Sequence, residues 1–68
     1  MNITVGGGKR SVEAGTTVAQ LIEDEKVENA AYVTVVVNDA FVDHADFGST
    51  TLFEGDTVEF LYFMGGGR

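Results

Sequence analysis

One stretch near the C-terminal end, Thr57-Val58-Glu59-Phe60-Leu61-Tyr62-Phe63-Met64, constrains the fold more than any other. It is the most hydrophobic strand of the sequence, and it runs without a break into Gly65-Gly66-Gly67-Arg68. Successive side chains of a strand point to opposite faces, so Val58, Phe60 and Tyr62 share one face and Leu61 and Phe63 the other. A chain of 68 residues has difficulty covering both, because domains near this size bury only about 60% of the surface their unfolded chains expose. Two readings are open. Leu61 and Phe63 form an exposed patch with Val36 of a neighbouring strand, of the kind that marks interaction sites. Alternatively, they pack into the core beneath the loop 43–53.

The glycines add a second constraint. Without a Cβ, glycine adopts backbone conformations closed to other residues and passes through gaps too narrow for a side chain. Three extended residues reach at most roughly 10 Å, at about 3.3–3.6 Å each. A rigid strand ending in such an arm can place a chain terminus inside another protein's active site. Ordinary fraying of a chain end is the competing reading. The sequence divides accordingly into a folded domain over 1–64 and a glycine-rich tail over 65–68, which is expected to be disordered in the isolated protein.

Composition narrows the function classes. The chain has room for one small domain. With 44% hydrophobic residues and no proline it is expected to be ordered. It contains no cysteine, so it can form neither a disulfide framework nor a thiolate metal site, nor carry a persulfide of its own. Eleven carboxylates against four Lys and Arg give a formal charge of −7. Phosphate neutralisation needs clustered basic residues, and Lys9-Arg10 is the one adjacent pair, so nucleic-acid binding is not expected. An acidic surface suits docking on a basic face of a partner protein. No stretch approaches the roughly 20 apolar residues of a membrane span, and no signal-peptide core is visible. No membrane association and a cytoplasmic location are therefore expected.

Read along the chain, Met1-Asn2-Ile3-Thr4-Val5 alternates apolar and polar as a half-buried strand. Gly6-Gly7-Gly8 supplies a tight hairpin, and Lys9-Arg10-Ser11-Val12 returns antiparallel. Lys9 and Arg10 are read as solvated, with a partner contact as the alternative. Thr17 is a good N-cap, and Gln20 three residues on completes a capping-box pattern. Val18, Leu21 and Ile22 make the apolar stripe of a short helix. Glu23, Asp24 and Glu25 oppose the dipole at its end, so it should fray near Lys26. Tyr32 to Val37 is β-branched and aromatic, hence a central strand. Asn38-Asp39 is a turn before a short edge strand at Phe41-Val42. Residues 43–53 lack a period and read as an irregular loop with one helical turn. Glu54-Gly55-Asp56 turns the chain into the last strand. The expected core is Ile3, Val5, Val18, Leu21, Ile22, Val35, Val58 and Phe60. His44, between Asp43 and Asp46, lacks a third ligand at useful spacing for a metal and is read as a surface histidine. No nucleophile–base pair is evident, so a small hydrolase is disfavoured and no catalytic residue is assigned.

This β-β-α-β-(short β)-β order with terminal glycines resembles the ubiquitin-like β-grasp sulfur carriers of the ThiS/MoaD family. The likeness is nearest to the thiamine-biosynthesis branch, with the molybdopterin-synthase small subunits more distant. It rests on Asn2–Val5, Gly15-Thr16-Thr17-Val18, Val35-Val36-Val37-Asn38, Glu54-Gly55-Asp56-Thr57-Val58-Glu59-Phe60 and the closing glycines, and it covers essentially the whole chain. The resemblance implies an α+β fold with a four- to five-stranded mixed sheet wrapped around one main helix. It also implies a carrier whose C-terminal carboxylate, in the tail Gly65-Gly66-Gly67, is adenylated by a partner activating enzyme using ATP and magnesium. A sulfur donor then makes the thiocarboxylate, which serves thiazole synthase or an analogous acceptor enzyme. On this reading the chain is a co-substrate, not an enzyme, and binds no cofactor or metal itself. Val36, Leu61 and Phe63 are the candidate docking residues.

One feature departs from the pattern. Members of this family usually end at the diglycine, whereas Arg68 follows three glycines here. A processing protease can remove Arg68 and expose Gly67, Gly66 or another residue can be the mature end, or the carrier role has been lost. Removal of Arg68 is the favoured reading. Carriers serving homocysteine/methionine or molybdopterin synthesis remain alternatives, as does a β-grasp interaction module with an incidental tail.

Overall fold

The computed structural model describes residues 1–27 and 32–62. Strand β1 (Asn2–Val5) turns into β2 (Gly8–Ser11), and helix α1 (Val18–Asp24) follows. Then come β3 (Val33–Val37), β4 (Ala40–Val42), a 3₁₀ turn at His44–Asp46, and β5 (Thr57–Tyr62). The strands form one five-stranded sheet in the order β2-β1-β5-β3-β4. β1 and β5 run parallel at its centre, while β1–β2, β3–β4 and β3–β5 are antiparallel. This is the mixed sheet with one helix that the resemblance implies.

Turn chemistry sets the two hairpins. Gly6 and Gly7 have φ of 57° and 86°, and Asn38 and Asp39 have φ of 51° and 70°. Positive φ at both central residues of a two-residue loop matches the twist of the flanking strands. Val5 therefore faces Gly8, and Val37 faces Ala40.

The core is built from one face of the sheet and the stripe of α1. Ile3, Val5, Val33, Val35 and Val58 meet Val18, Leu21 and Ile22 in a single cluster, which Leu52 completes. Two of these, Val33 and Leu52, lie outside the core expected from sequence. Phe60 was expected inside; it is half-buried and packs against the cluster from its edge. Seven helical residues span only about 10 Å at 1.5 Å each, roughly half the length of a six-residue strand at about 3.4 Å per residue.

α1 starts at the expected cap, but half of its capping box and its C-terminal end differ from expectation. Thr17 caps the N-terminus, its Oγ1 accepting from the Gln20 N–H at 3.2 Å. The reciprocal half of the box does not form, because the Gln20 side chain donates to Asp24 at 3.0 Å instead. The loop does the rest: the N–H groups of Val18 and Ala19 donate to the carbonyls of Thr50 and Phe47, both at 3.0 Å. Leu52 N–H donates to Thr16 C=O at 2.8 Å, which draws the Leu52 side chain into the core. The C-terminus is closed rather than frayed. Lys26 N–H bonds Glu23 C=O at 3.1 Å, Val27 N–H bonds Ile22 C=O at 3.1 Å, and Lys26 has φ of 55°. These are the paired bonds and left-handed residue of a Schellman ending, with Val27 packed against the core as its hydrophobic contact.

A lysine in that left-handed position is strained. The conformation costs a non-glycine residue roughly 1–2 kcal/mol, against about 0.5–1 kcal/mol for the extra chain entropy glycine loses on folding. Lys26→Gly should therefore stabilise the protein by about 0.5–1 kcal/mol, raising its urea midpoint. A lower midpoint would contradict this helix ending.

Candidate functional site

The face of the sheet away from α1 is polar around β1 and β2 and mixed across the other three strands. Around β1 and β2 it carries Asn2, Thr4, Lys9 and Ser11, which pair as Asn2 with Ser11 and Thr4 with Lys9. Across β5, β3 and β4 it carries a different set. Val36 lies opposite Glu59 on one side and opposite Phe41 on the other. Leu61 lies opposite Thr34, one step nearer the end of β5. Phe41 is 75% exposed and Leu61 is 39% exposed, while Val36 is half-buried. Tyr32, just before β3, is 77% exposed.

Val36 and Leu61, grouped from sequence, thus sit diagonally on one face, close enough for their side chains to meet. Leu61 does not pack beneath the loop 43–53. That loop meets α1, and its buried residue, Leu52, joins the cluster on the other face of the sheet. Phe41 is the residue that sequence reasoning missed. Its three-residue strand reads as an edge, and only the turn at Asn38-Asp39 assigns its face, by placing it opposite Val36. Phe63 and the tail Gly65, Gly66, Gly67 and Arg68 lie outside the described residues.

The start of β5 is held firmly. The Asn38 side chain donates to Asp56 at 2.9 Å and accepts from Thr57 N–H at 2.9 Å. The other Asp56 oxygen accepts from Phe53 N–H at 2.8 Å. The β3–β4 turn and the root of β5 are thereby joined by side-chain bonds as well as by the strand ladder.

The other residues singled out from sequence lie elsewhere on the surface. Arg10 pairs with Glu25 at 3.2 Å, tying β2 to the end of α1. Lys9 is exposed. The His44 ring lies against Phe47, with centroids 4.8 Å apart. Among the described residues no group of three His, Cys, Asp or Glu side chains could hold a metal ion, and no helix is long and apolar enough to cross a membrane.

Comparison with known proteins settles what this architecture is. The ThiS family model matches residues 3–67. The chain belongs to the ThiS family. Among solved structures, the crystal structure of the thiamine biosynthesis protein ThiS from Geobacter metallireducens is similar at 45% identity with a TM-score of 0.89. The match covers 98% of this chain and 100% of that one. A solution structure of a thiamine biosynthesis protein from the same organism is similar at 44% identity with a TM-score of 0.77, covering 100% of this chain and 90% of that one. No curated protein matches at significance. The fold is thus the ubiquitin-like β-grasp of the ThiS family, and membership supports a sulfur-carrier role.

Proposed function

We propose that this protein carries sulfur for thiazole formation in thiamine biosynthesis, as a thiocarboxylate on the carboxyl group of Gly67 exposed by removal of Arg68. The observation that carries the proposal is the family match, which takes in the glycines and ends at Gly67, one residue short of Arg68. A carboxylate is a poor electrophile. Adenylation by an activating enzyme with ATP and magnesium expels pyrophosphate and gives the acyl carbon a good leaving group. Attack by a sulfur donor equivalent to hydrosulfide then releases AMP and leaves the thiocarboxylate. The chain contributes no acid, base or metal to these steps. Its part is to present an unhindered terminus and a face by which the enzyme holds it.

The exposed row of Phe41, Val36 and Leu61 supports docking of the activating enzyme on that face, since soluble domains seldom leave neighbouring apolar side chains uncovered without a use for them. The thiazole assignment follows the thiamine-biosynthesis relatives. It is tested by offering the thiocarboxylated chain to a thiazole synthase, to a homocysteine-forming enzyme and to a molybdopterin-synthase large subunit, and following loss of sulfur from the carrier. Discharge by the thiazole synthase alone is expected. Discharge by either of the others alone would reassign the pathway while leaving the carrier role intact.

A further inference from the structure

A carboxylate adjoins the apolar residues of the open sheet face, on β5 beside the polar strand β1. Glu59 lies directly across from Val36, Val36 directly across from Phe41, and Leu61 follows two residues along β5 on the same face. Glu59 is exposed. Among the described residues it takes part in no ion pair, the one such pair being Arg10 with Glu25 on the far side of β2. In the free protein water solvates this carboxylate at little cost. A partner that covers Phe41, Val36 and Leu61 and also reaches across β5 removes that water, because Glu59 stands beside both Val36 and Leu61.

Resting on the carrier reading above, we infer that Glu59 is a specificity-determining residue, which pairs with a basic side chain, preferably an arginine, set within an apolar socket of the activating enzyme. Burying a carboxylate without a partner is costly, whereas a cation with matched geometry offsets its desolvation. Arginine suits the position because its planar fork binds a carboxylate through two parallel hydrogen bonds and is more weakly hydrated than an ammonium group. The apolar row supplies contact area and Glu59 supplies selection. A surface with an acid or an unpaired polar group at that point is rejected by like-charge repulsion or by desolvation. Position adds a second consequence. Glu59 lies on β5, which precedes the closing glycines in sequence, so an ion pair there fixes β5 against the enzyme. The net charge of −7 steers the encounter with a basic surface in general, and Glu59 sets its register.

The test measures binding to the cognate activating enzyme by calorimetry for the wild type, Glu59→Gln, Glu23→Gln and Phe41→Ser. Each is measured in the full chain and in the chain ending at Gly67. Glu23 is exposed on α1, on the other side of the sheet, so its variant makes the same change of charge away from the face. Glu59→Gln should keep the thermal midpoint of the wild type and bind about 30-fold more weakly, as expected when one partner of a buried charge pair is removed. Glu23→Gln should bind within about twofold of the wild type, as expected for a screened charge distant from the contact. Phe41→Ser should also bind more weakly. Binding of Glu59→Gln at wild-type strength while Phe41→Ser weakens would overturn the role of Glu59 and leave the carrier reading standing. Equal weakening by Glu59→Gln and Glu23→Gln would reduce the effect to net charge and overturn it too. A wild type that neither binds nor is adenylated would remove the carrier reading itself.

Discussion

Leu21→Ala should destabilise the protein by about 2–5 kcal/mol, the cost of deleting a leucine side chain from a packed core. Leu21 is fully buried, in the middle of the stripe that joins α1 to the sheet. Its neighbours Ile3, Val5, Val33, Val35 and Val58 belong to three strands that also pair with one another. They cannot collapse into the space without breaking strand register, so most of the cavity should persist. Small domains have only about 5–15 kcal/mol of total stability, and this substitution removes a large share of it. Equilibrium urea unfolding of the two proteins, with equal slopes, would give the difference. An unchanged midpoint would show that the helix does not seat Leu21 against the sheet.

Gly66→Val should abolish thiocarboxylate formation in a chain ending at Gly67 while leaving the unfolding midpoint where it was. Residue 66 lies, in sequence, four positions beyond the end of β5 at Tyr62. On the proposed carrier reading, a β-branched side chain stiffens the backbone and widens the arm that enters the activating enzyme's nucleotide site. The loss should be close to complete in single-turnover assays with ATP, the activating enzyme and sulfide. Retained activity with a changed midpoint would place residue 66 in the folded domain and deny it a part in the chemistry.

Where sequence and structure agree, local chemistry decides the outcome. Gly6-Gly7 and Asn38-Asp39 supply the positive φ of two hairpins, Thr17 caps α1, and Val18, Leu21 and Ile22 recur at helical spacing. Each of these is a matter of a few adjacent residues. Where they differ, distant parts of the chain decide. Leu52 is buried because Thr16 and the first helical N–H groups find hydrogen-bond partners in the loop 47–52, a pairing no periodicity announces. Lys26 holds a left-handed ending that glycine would normally occupy, because the bonds to Glu23 and Ile22 and the packing of Val27 outweigh its strain. The candidate docking face is half legible in the sequence. Alternation separates Leu61 from Val58 and Phe60, but the place of Phe41 opposite Val36, and of Glu59 beside Val36, depends on strand order and register.

The carrier reading stands or falls with the chemistry of one carboxyl group, and intact-mass measurement reads it directly. The full-length chain and a chain ending at Gly67 are each incubated with the cognate activating enzyme, ATP, magnesium and sulfide. The Gly67-terminated chain should exchange one oxygen for one sulfur through an acyl-adenylate that can be trapped when sulfide is withheld, and the chain still carrying Arg68 should remain unchanged. A Gly67-terminated chain that binds the enzyme yet never forms the acyl-adenylate would contradict the proposed function and leave the fold as a protein-interaction module.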